Sequence, residues 1–174
     1  MELKTHVILV DPDDREIGTM LRETAHSQAG VLHRAISVFL FDIQGRTLLQ
    51  QRHPEKPLWG GYWSNSCCTH PFPNEFTKDS AARRVHEELG LTAELTFRFK
   101  LEYQAAFTEE LAEHELVSVY TGNVCSDPVV DLEEIIDWRW ISVDELENEF
   151  VRVPDEFTPW LKLEWQRLRQ LDLV

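Results

Sequence analysis

Runs of β-branched, aromatic and aliphatic residues, separated by turn-forming residues, predict a series of strands along this chain. The strands are expected at residues 6–10, 32–42, 47–52, 96–107, 113–121 and 134–142. Pro12, within residues 11–14, and Gly45 mark turns between the early strands. These runs therefore predict that strands form a large part of the chain.

Helical patterns occur between and after these strands. Residues 77–80 offer capping side chains before Ala81, and Gly90 is a natural helix stop. A short helix is expected at residues 143–150 and an amphipathic one at about 158–171, while residues 19–29 favour a short helix or a loop ending at Gly30. The alternation predicts an α/β fold, an α/β/α sandwich with a mixed central sheet. Residues 1–174 contain no repeat or linker, so we expect one domain.

Composition narrows the possible partners. A formal net charge of −14 argues against nucleic acid, because phosphate repulsion would be unopposed, but a local cationic pocket could still bind a small anion. The 3 cysteines do not form a disulfide framework, no apolar run approaches a membrane span, and the first ten residues do not resemble a signal peptide. We expect a cytoplasmic protein, a monomer or weak dimer, whose partner is a small molecule.

The chemistry-bearing side chains concentrate between residues 59 and 91. The run NSCCTHP at residues 65–71 contains Cys67, Cys68 and His70, and the helix after it carries two arginines and two glutamates. Within that helix Arg84 and Glu88 are four residues apart and share one face, which an ordinary surface ion pair would explain equally well. A thiol, an imidazole and paired charges in so short a span indicate a reaction centre.

Residues 69–91 resemble the Nudix box, a glycine, five residues, a glutamate, seven residues and then REUxEExGU. Matching positions are Glu75, Arg83, Val85, Glu87, Glu88, Gly90 and Leu91. Thr69 stands where the glycine belongs, and Arg84 replaces a glutamate that normally holds metal for phosphoanhydride hydrolysis. The resemblance implies a Nudix-like fold with a damaged hydrolase signal. Threonine resists the backbone conformations that glycine allows, so we predict a negative φ at Thr69.

Together with this helix, NSCCTHP resembles the Asn-Ser-x-Cys-x-His-Pro motif of type 1 isopentenyl-diphosphate isomerases. The resemblance implies a proton shift that converts isopentenyl diphosphate to dimethylallyl diphosphate through a tertiary carbocation, in isoprenoid biosynthesis. It implies three groups of site residues: catalytic Cys68, Glu115 and Tyr103; metal-binding His26, His33, His70, Glu88, Glu113 and Glu115; and substrate-binding Arg22, Arg52, Lys56, Arg84 and Trp160. Alone, His26 or His33 would more often be an ordinary surface or hydrogen-bonded residue, and Trp160 an ordinary core residue.

The resemblance also implies two kinds of cofactor. Glu88 would hold Mg²⁺ on the diphosphate, and the histidine and glutamate ligands would hold one Mn²⁺, Zn²⁺ or Fe²⁺. Glu113 and Glu115 are two residues apart, so in a strand they face one side while His114 faces the other. Glu75, Arg83 and Glu87 are expected to brace the loop–helix joint. A cationic neighbourhood is expected to lower the pKa of the Cys68 thiol.

Two further functions remain open at this point. A Nudix pyrophosphohydrolase would explain the helix and its phosphate affinity, but it requires the glutamate that Arg84 replaces. A non-catalytic, metal-bound module would explain the metal ligands but gives Cys68, Tyr103 and Trp160 no shared purpose. The isomerase accounts for all of these residues together.

Overall fold

The computed structural model describes residues 5–174 and is built around a mixed sheet. In the described residues its strands are β1 (His6–Val10), β2 (Glu16–Leu21), β3 (His33–Phe41), β4 (Thr47–Arg52), β5 (Trp63–Ser64), β6 (Cys67–Thr69), β7 (Thr96–Ala106), β8 (Ala112–Asn123) and β9 (Ile135–Ile141). The helices are α1 (Arg22–Ala25), α2 (Thr77–Leu89), α3 (Val143–Arg152) and α4 (Pro159–Gln170), with a 3-10 turn at Pro154–Glu156.

Strand β3 lies at the centre of the sheet and sets the position of the site. It pairs in parallel with β8 and antiparallel with β1, β4 and β6. Register places His33 opposite Glu115 in β8 and Ser37 opposite Cys68 in β6. The mixed sheet predicted from the sequence is thereby confirmed.

Alternate residues of β3 enter two separate cores because successive side chains of a strand point to opposite faces. Ile36, Val38 and Leu40 pack in a core with α2, while Ala35 and Phe39 pack in a second core with α3 and α4. Helices therefore cover both faces of the sheet, and the α/β/α sandwich is confirmed. The even-numbered face of β3 is sealed by apolar side chains, whereas its odd-numbered face carries His33 and Ser37.

Two strands were not predicted from the sequence. Residues 19–29 do not form only a helix or loop: β2 ends at Leu21, pairs with β1, and leads into the single turn α1. Every side chain of β2 is exposed or half-exposed, so it lacks the buried positions that reveal a strand. The run at residues 65–71 contains β6, which pairs with β3.

Helix α2 also begins earlier than predicted, at Thr77, and its N-cap Phe76 makes no side-chain cap bond. The residues expected to cap the helix have other environments. The Thr77 hydroxyl forms a hydrogen bond with the Tyr120 hydroxyl at 2.7 Å, and Ser80 is fully buried within the helix. Gly90 ends the helix at φ 63°, as predicted. Thr69 is absent from the described residues with positive φ, so that prediction is confirmed too.

No helix formed by residues 5–174 combines the length and apolar character needed to cross a bilayer.

Candidate active site

The predicted site residues meet around one cavity of about 490 Å³ on the odd-numbered face of β3. Its wall includes all but one of them, namely Arg22, His26, Arg52, Lys56, Cys68, His70, Arg84, Glu88, Tyr103, Glu113, Glu115 and Trp160. The exception, His33, is fully buried directly behind the wall. The cavity has a histidine end, defined by His26, His33, His70, Glu113 and Glu115, and a cationic end, defined by Arg22, Arg52, Lys56 and Arg84.

The histidine end is assembled by the sheet and two short connections. His33 is the first residue of β3, His70 directly follows β6, and His26 directly follows α1. Glu113 and Glu115 both lie in β8, two residues apart and therefore on one face. The β3–β8 register brings Glu115 beside His33, so the sheet itself carries the centre of this cluster.

The ligand atoms of the histidine end converge. His33 Nε2 lies 3.2 Å from His26 Nε2 and 3.1 Å from His70 Nε2. His70 Nε2 is 2.8 Å from Glu115 Oε1, and His26 Nε2 is 3.1 Å from Glu113 Oε2. One atom from each of the five residues lies within 4.8 Å of every other. His33 also places Nδ1 2.7 Å from the Val31 carbonyl, which orients its ring with Nε2 toward the cluster.

Electrostatics at this end suit a divalent cation. Burial lowers the pKa of His26 to about 3, and the nearby His70 and His33 add to the effect, so its imidazole is neutral. Burial likewise lowers the pKa of His70. Burial and the charge of Glu115 raise the pKa of Glu113, whose buried Oε2 has no hydrogen-bond partner. Imidazole nitrogens and carboxylate oxygens together form a suitable donor set for a divalent metal ion.

Tyr103 and Glu115 form a pair beside this cluster. The Tyr103 hydroxyl donates to Glu115 Oε2 at 2.7 Å, while His70 contacts the other carboxylate oxygen. Burial and the Glu115 charge raise the pKa of Tyr103 well above its ordinary value, so the phenol stays protonated. Burial would raise the pKa of Glu115, but the neighbouring His33 and His70 hold it well below its ordinary range. The carboxylate is therefore ionised and is held by hydrogen bonds to Tyr103 and His70.

Cys68 faces the cavity, but the expected lowering of its pKa was wrong. Burial raises the pKa of the thiol, and no Lys or Arg is among the main influences on it. The thiol donates to Asn65 Oδ1 at 3.0 Å. Cys67 points to the other face of β6 and is buried in the core with α2. Of the two adjacent thiols, only Cys68 lines the cavity.

Trp160 begins the buried face of α4 and forms an aromatic wall. Its indole Nε1 donates to Ser64 Oγ at 3.0 Å, and its ring lies 5.3 Å from that of Trp59 in an edge-to-face arrangement. The Tyr103 ring centroid is 6.3 Å away, and the Arg52 guanidinium lies 5.3 Å from the Trp160 ring centroid. The indole is therefore fixed in place, with a π face available to a neighbouring cation.

The cationic end is held together by ion pairs and backbone carbonyls. Arg84 pairs with Glu88, with Glu87 at 3.0 Å and with Glu134 at 3.4 Å, and Lys56 also pairs with Glu134. Among residues 5–174, five Lys and Arg side chains line this one cavity, the four predicted ones and Arg83. The pocket is therefore rich in cations although the whole chain is strongly acidic.

Arg52 fixes the loop that carries Lys56. Its Nε and Nη2 donate to the Trp59 and Leu58 carbonyls at 3.2 and 2.9 Å. Gly60 allows this closure, because a Cβ there would approach the Pro54 carbonyl oxygen to 2.4 Å. Burial lowers the pKa of Lys56 to about 8; Glu88 opposes the shift, while Arg52, Arg84 and Arg22 reinforce it.

The residues predicted to be structural have the expected contacts. Arg83 donates to both oxygens of Glu75, at 2.7 and 2.9 Å, and Glu75 accepts from the Phe72 backbone N–H. Glu87 lies 3.1 Å from Arg83. His114 points away from the cavity, with Nε2 3.1 Å from Glu102. The contacts of Glu75, Arg83 and Glu87 brace the joint between β6 and α2, as predicted.

Sequence reasoning missed Glu134 and Glu164. Glu134 lines the cavity between Lys56 and Arg84, but it lies in an acidic run that resembles ordinary surface. Glu164 gave a clearer signal, because it falls on the same face of α4 as Trp160 and Leu168, where a charge is out of place. Its hydrogen bond reaches Ser37, beside Cys68.

Comparison with known proteins identifies a matching family and several similar enzymes. The NUDIX domain family matches residues 31–161. The isopentenyl-diphosphate Delta-isomerase of Pectobacterium atrosepticum is 42% identical over 94% of this chain and 91% of that protein. The enzymes of the same name from Burkholderia multivorans and Serratia proteamaculans are 44% and 45% identical, over 91% and 88% of this chain and 89% and 86% of theirs.

Solved structures share the fold at lower identity. The Deinococcus radiodurans protein DR0079 superposes with a TM-score of 0.70 at 20% identity, covering 85% of this chain and 90% of that one. The MutT protein of Methanosarcina mazei gives a TM-score of 0.67 at 19% identity, covering 81% and 95%. At these identities the likeness concerns the fold alone, and it confirms the Nudix-like architecture expected from the sequence.

Proposed function

The chain belongs to the NUDIX domain family and, within it, to the isopentenyl-diphosphate Delta-isomerases, and from that premise we propose that it interconverts isopentenyl diphosphate and dimethylallyl diphosphate in the cavity described above. The observation that carries this proposal is the convergence of Cys68, the Tyr103–Glu115 pair and a cationic end on one cavity. A hydrolase would need the acidic group that Arg84 replaces, and a metal-bound module would not need the Cys68 thiol.

The cationic end would bind the diphosphate. Arg22, Arg52, Lys56 and Arg84 offer donors for its oxygens, and guanidinium groups suit bidentate contact with phosphate. The substrate would displace Glu134 from Lys56 and Arg84, exchanging protein ion pairs for phosphate ones. Glu88 and Glu134 supply carboxylates beside this position, which fits Mg²⁺ bound through one or two carboxylates and phosphate oxygens.

The hydrocarbon would extend from the cationic end toward the two acid/base groups. Moving the double bond requires a proton added at one end and another removed at the other, with a tertiary carbocation between them. Cys68 and Glu115 would act on opposite faces of the substrate, each as acid or base according to direction. Protonated Cys68 and ionised Glu115 match the conversion in which the thiol donates and the carboxylate accepts.

The remaining wall would protect the carbocation from water. Trp160 lines the cavity, where its indole π system would stabilise positive charge on the substrate. Leu58 and Leu111 add apolar surface to the same wall. Tyr103 would hold Glu115 in place through its hydrogen bond.

The histidine end would hold one divalent ion through His26, His33, His70, Glu113 and Glu115. A bound Mn²⁺, Zn²⁺ or Fe²⁺ would fix Glu115 and set its proton affinity. The five ligand atoms are close enough to share one ion, and the unpartnered Glu113 oxygen supports this role. Metal analysis of the purified protein distinguishes among the three ions.

We also propose that the chain acts as a single domain in the cytoplasm, as a monomer or weak dimer without nucleic acid. Its net charge of −14 supports the exclusion of nucleic acid. Light scattering across a range of protein concentrations distinguishes a monomer from a dimer.

Proton NMR with isopentenyl diphosphate and Mg²⁺ in deuterated water tests the reaction. The expected result is dimethylallyl diphosphate carrying deuterium at the protonated carbon. Release of phosphate or pyrophosphate from nucleotides, without isomerisation, would support a hydrolase instead. Failure of both reactions with metal confirmed in the protein would favour the binding module.

A further inference from the structure

A carboxyl group in the core with α4 has no part in the chemistry described so far. Glu164 is fully buried, and no cationic side chain among residues 5–174 forms an ion pair with it. One oxygen, Oε1, has no hydrogen-bond partner, and the other lies 2.5 Å from Ser37 Oγ. A buried, unpaired carboxylate is costly, so a function is the natural explanation for its presence.

Ser37 connects this carboxyl to the proposed catalytic thiol. Its Oγ lies 3.5 Å from Cys68 Sγ, since the two residues are directly opposite in the β3–β6 ladder. Asn65 completes the group: its Nδ2 donates to Ser37 Oγ at 2.7 Å, and its Oδ1 accepts from Cys68 at 3.0 Å. Four polar side chains thus form one buried network behind the cavity wall.

The protonation state of Glu164 determines where the Ser37 hydroxyl hydrogen points. Ser37 has a single hydroxyl hydrogen, and both Glu164 Oε2 and Cys68 Sγ are within its reach. If Glu164 is ionised, it takes this hydrogen. If it is protonated, its own O–H donates to Ser37 Oγ, and the Ser37 hydrogen is free to turn toward the sulfur.

The surroundings favour the protonated form. Burial, aided by the charge of Glu115, raises the pKa of Glu164 well above its ordinary range, although the bond from Ser37 opposes this. Apolar side chains of the same core, including Phe39, Leu161 and Trp165, surround this part of the sandwich.

We propose that Glu164 is a positioning residue, which acts through Ser37 to direct a hydrogen bond onto the sulfur of Cys68. The bond fixes the direction of the thiol hydrogen and stabilises the sulfur as it loses that proton to the substrate. Glu164 itself neither touches the substrate nor changes its number of protons during the reaction. This inference rests on the proposed function, because it requires Cys68 to be the acid/base group.

Two substitutions of Glu164 separate this role from ordinary packing. Glu164→Gln keeps a donor for Ser37, because its side-chain amide can replace the carboxyl O–H. Glu164→Met keeps the length and helix preference of the side chain but removes the hydrogen bond. Leu161→Met, one turn away in the same core, is the control for a modest disturbance of packing.

The expected result is a split between kcat and KM. Glu164→Met lowers kcat about tenfold with KM unchanged, because the Ser37 hydroxyl loses the bond that orients its hydrogen toward the sulfur, while the phosphate contacts remain. Glu164→Gln restores most of the kcat, and Leu161→Met resembles wild type. Glu164→Met should also raise the thermal midpoint, because a buried polar group is replaced by an apolar one. Lower activity in a more stable protein is a combination that a purely structural role does not produce.

Ser37→Ala provides an independent variant if Glu164→Met fails to fold. It should lower kcat by the same factor, and in the double variant Ser37→Ala/Glu164→Met the two effects should not add. Equal kcat in wild type, Glu164→Met and Ser37→Ala would overturn the proposal. So would an equal loss in Glu164→Gln and Glu164→Met, because Glu164 would then act as an anion.

Infrared spectroscopy reads the network directly. The S–H stretching band of Cys68, assigned by subtracting the Cys68→Ala spectrum, should shift in Glu164→Met and not in Glu164→Gln. An unchanged band in both variants contradicts the inference.

If wild type does not isomerise the substrate, the proposed function itself fails. If wild type is active and Glu164→Met matches it, only this inference fails.

Discussion

The histidine end and the cationic end of the cavity differ in how their side chains are buried and paired. At the histidine end, imidazoles and carboxylates are fixed by the sheet, and side chains such as His33 and Glu113 are almost completely buried. At the cationic end, Lys56 and Arg84 are more exposed and are paired with carboxylates that a substrate must displace. The first end is arranged before binding, whereas the second must exchange its partners. Substitutions at the first should therefore affect kcat and metal content, and those at the second should affect KM.

The largest effect is expected at Cys68, which lies between the two ends. Cys68→Ala should lower kcat about a thousandfold or more, the loss typical of a missing acid/base group, with metal content unchanged. Cys67→Ala is the matched control, because this neighbouring thiol faces the core with α2. Its kcat should stay within about threefold of wild type while its thermal midpoint falls. Comparable kcat losses in both variants would contradict the assignment of Cys68.

The histidine end is tested by removing one ligand. His70→Asn should lower metal occupancy and reduce kcat roughly a hundredfold, since even indirect support of a metal ligand can contribute that much. His114→Asn serves as the control, because His114 faces Glu102 on the other side of β8. Metal analysis and kcat are measured together. Normal metal content in His70→Asn, or metal loss in His114→Asn, would contradict the assignment of His70, and not His114, as a metal ligand.

The cationic end is tested with two adjacent arginines of α2. Arg84→Met should raise KM about tenfold by removing charged hydrogen bonds to the diphosphate. Arg83→Met should instead lower the thermal midpoint, because Arg83 ties Glu75 to the start of the helix. Steady-state kinetics and thermal unfolding of both proteins give the comparison. A change in kcat alone for Arg84→Met would mean that the two ends are not functionally separate.

The smallest effect concerns pH. With a pKa of about 8, Lys56 is charged at neutral pH and loses its proton as the pH rises above that value. KM should then increase about fivefold between about pH 8 and about pH 9, since substrate binding must restore the proton that Lys56 has lost. In Lys56→Arg the guanidinium remains charged, so KM should not show this rise. A rise of the same size in both proteins would assign the titration to another group.

The parts that the sequence predicted well are those with regular patterns or a contiguous motif. β4 was predicted at its observed bounds, and Gly90 ended α2 as expected. Such elements form because alternate or periodic side chains are buried, so the spacing of apolar residues in the sequence predicts where they lie. β2 was missed because both of its faces are exposed, and its structure depends on pairing with β1.

At the site, the resemblance selected residues that the structure indeed brings together, including His26 and Glu113 from distant segments. The pKa of Cys68 was predicted in the wrong direction, because the sequence suggested neighbouring cations where the fold instead buries the thiol. Glu134 was missed for a related reason, since its partners Lys56 and Arg84 become adjacent only in the folded chain. Local pattern does not encode such long-range proximity.

The parallel pairing of β3 with β8 has a consequence for biosynthesis of the protein. His33 and Glu115 are neighbours in the ladder but far apart in the chain, and α2 and β7 are synthesised between them. A chain still on the ribosome, with translation stopped before β8, contains the imidazoles but neither carboxylate of the cluster. Contacts between distant segments also form late during folding. Metal loading is therefore expected after translation of β8, in a nearly folded chain, so that an incomplete nascent chain captures little metal.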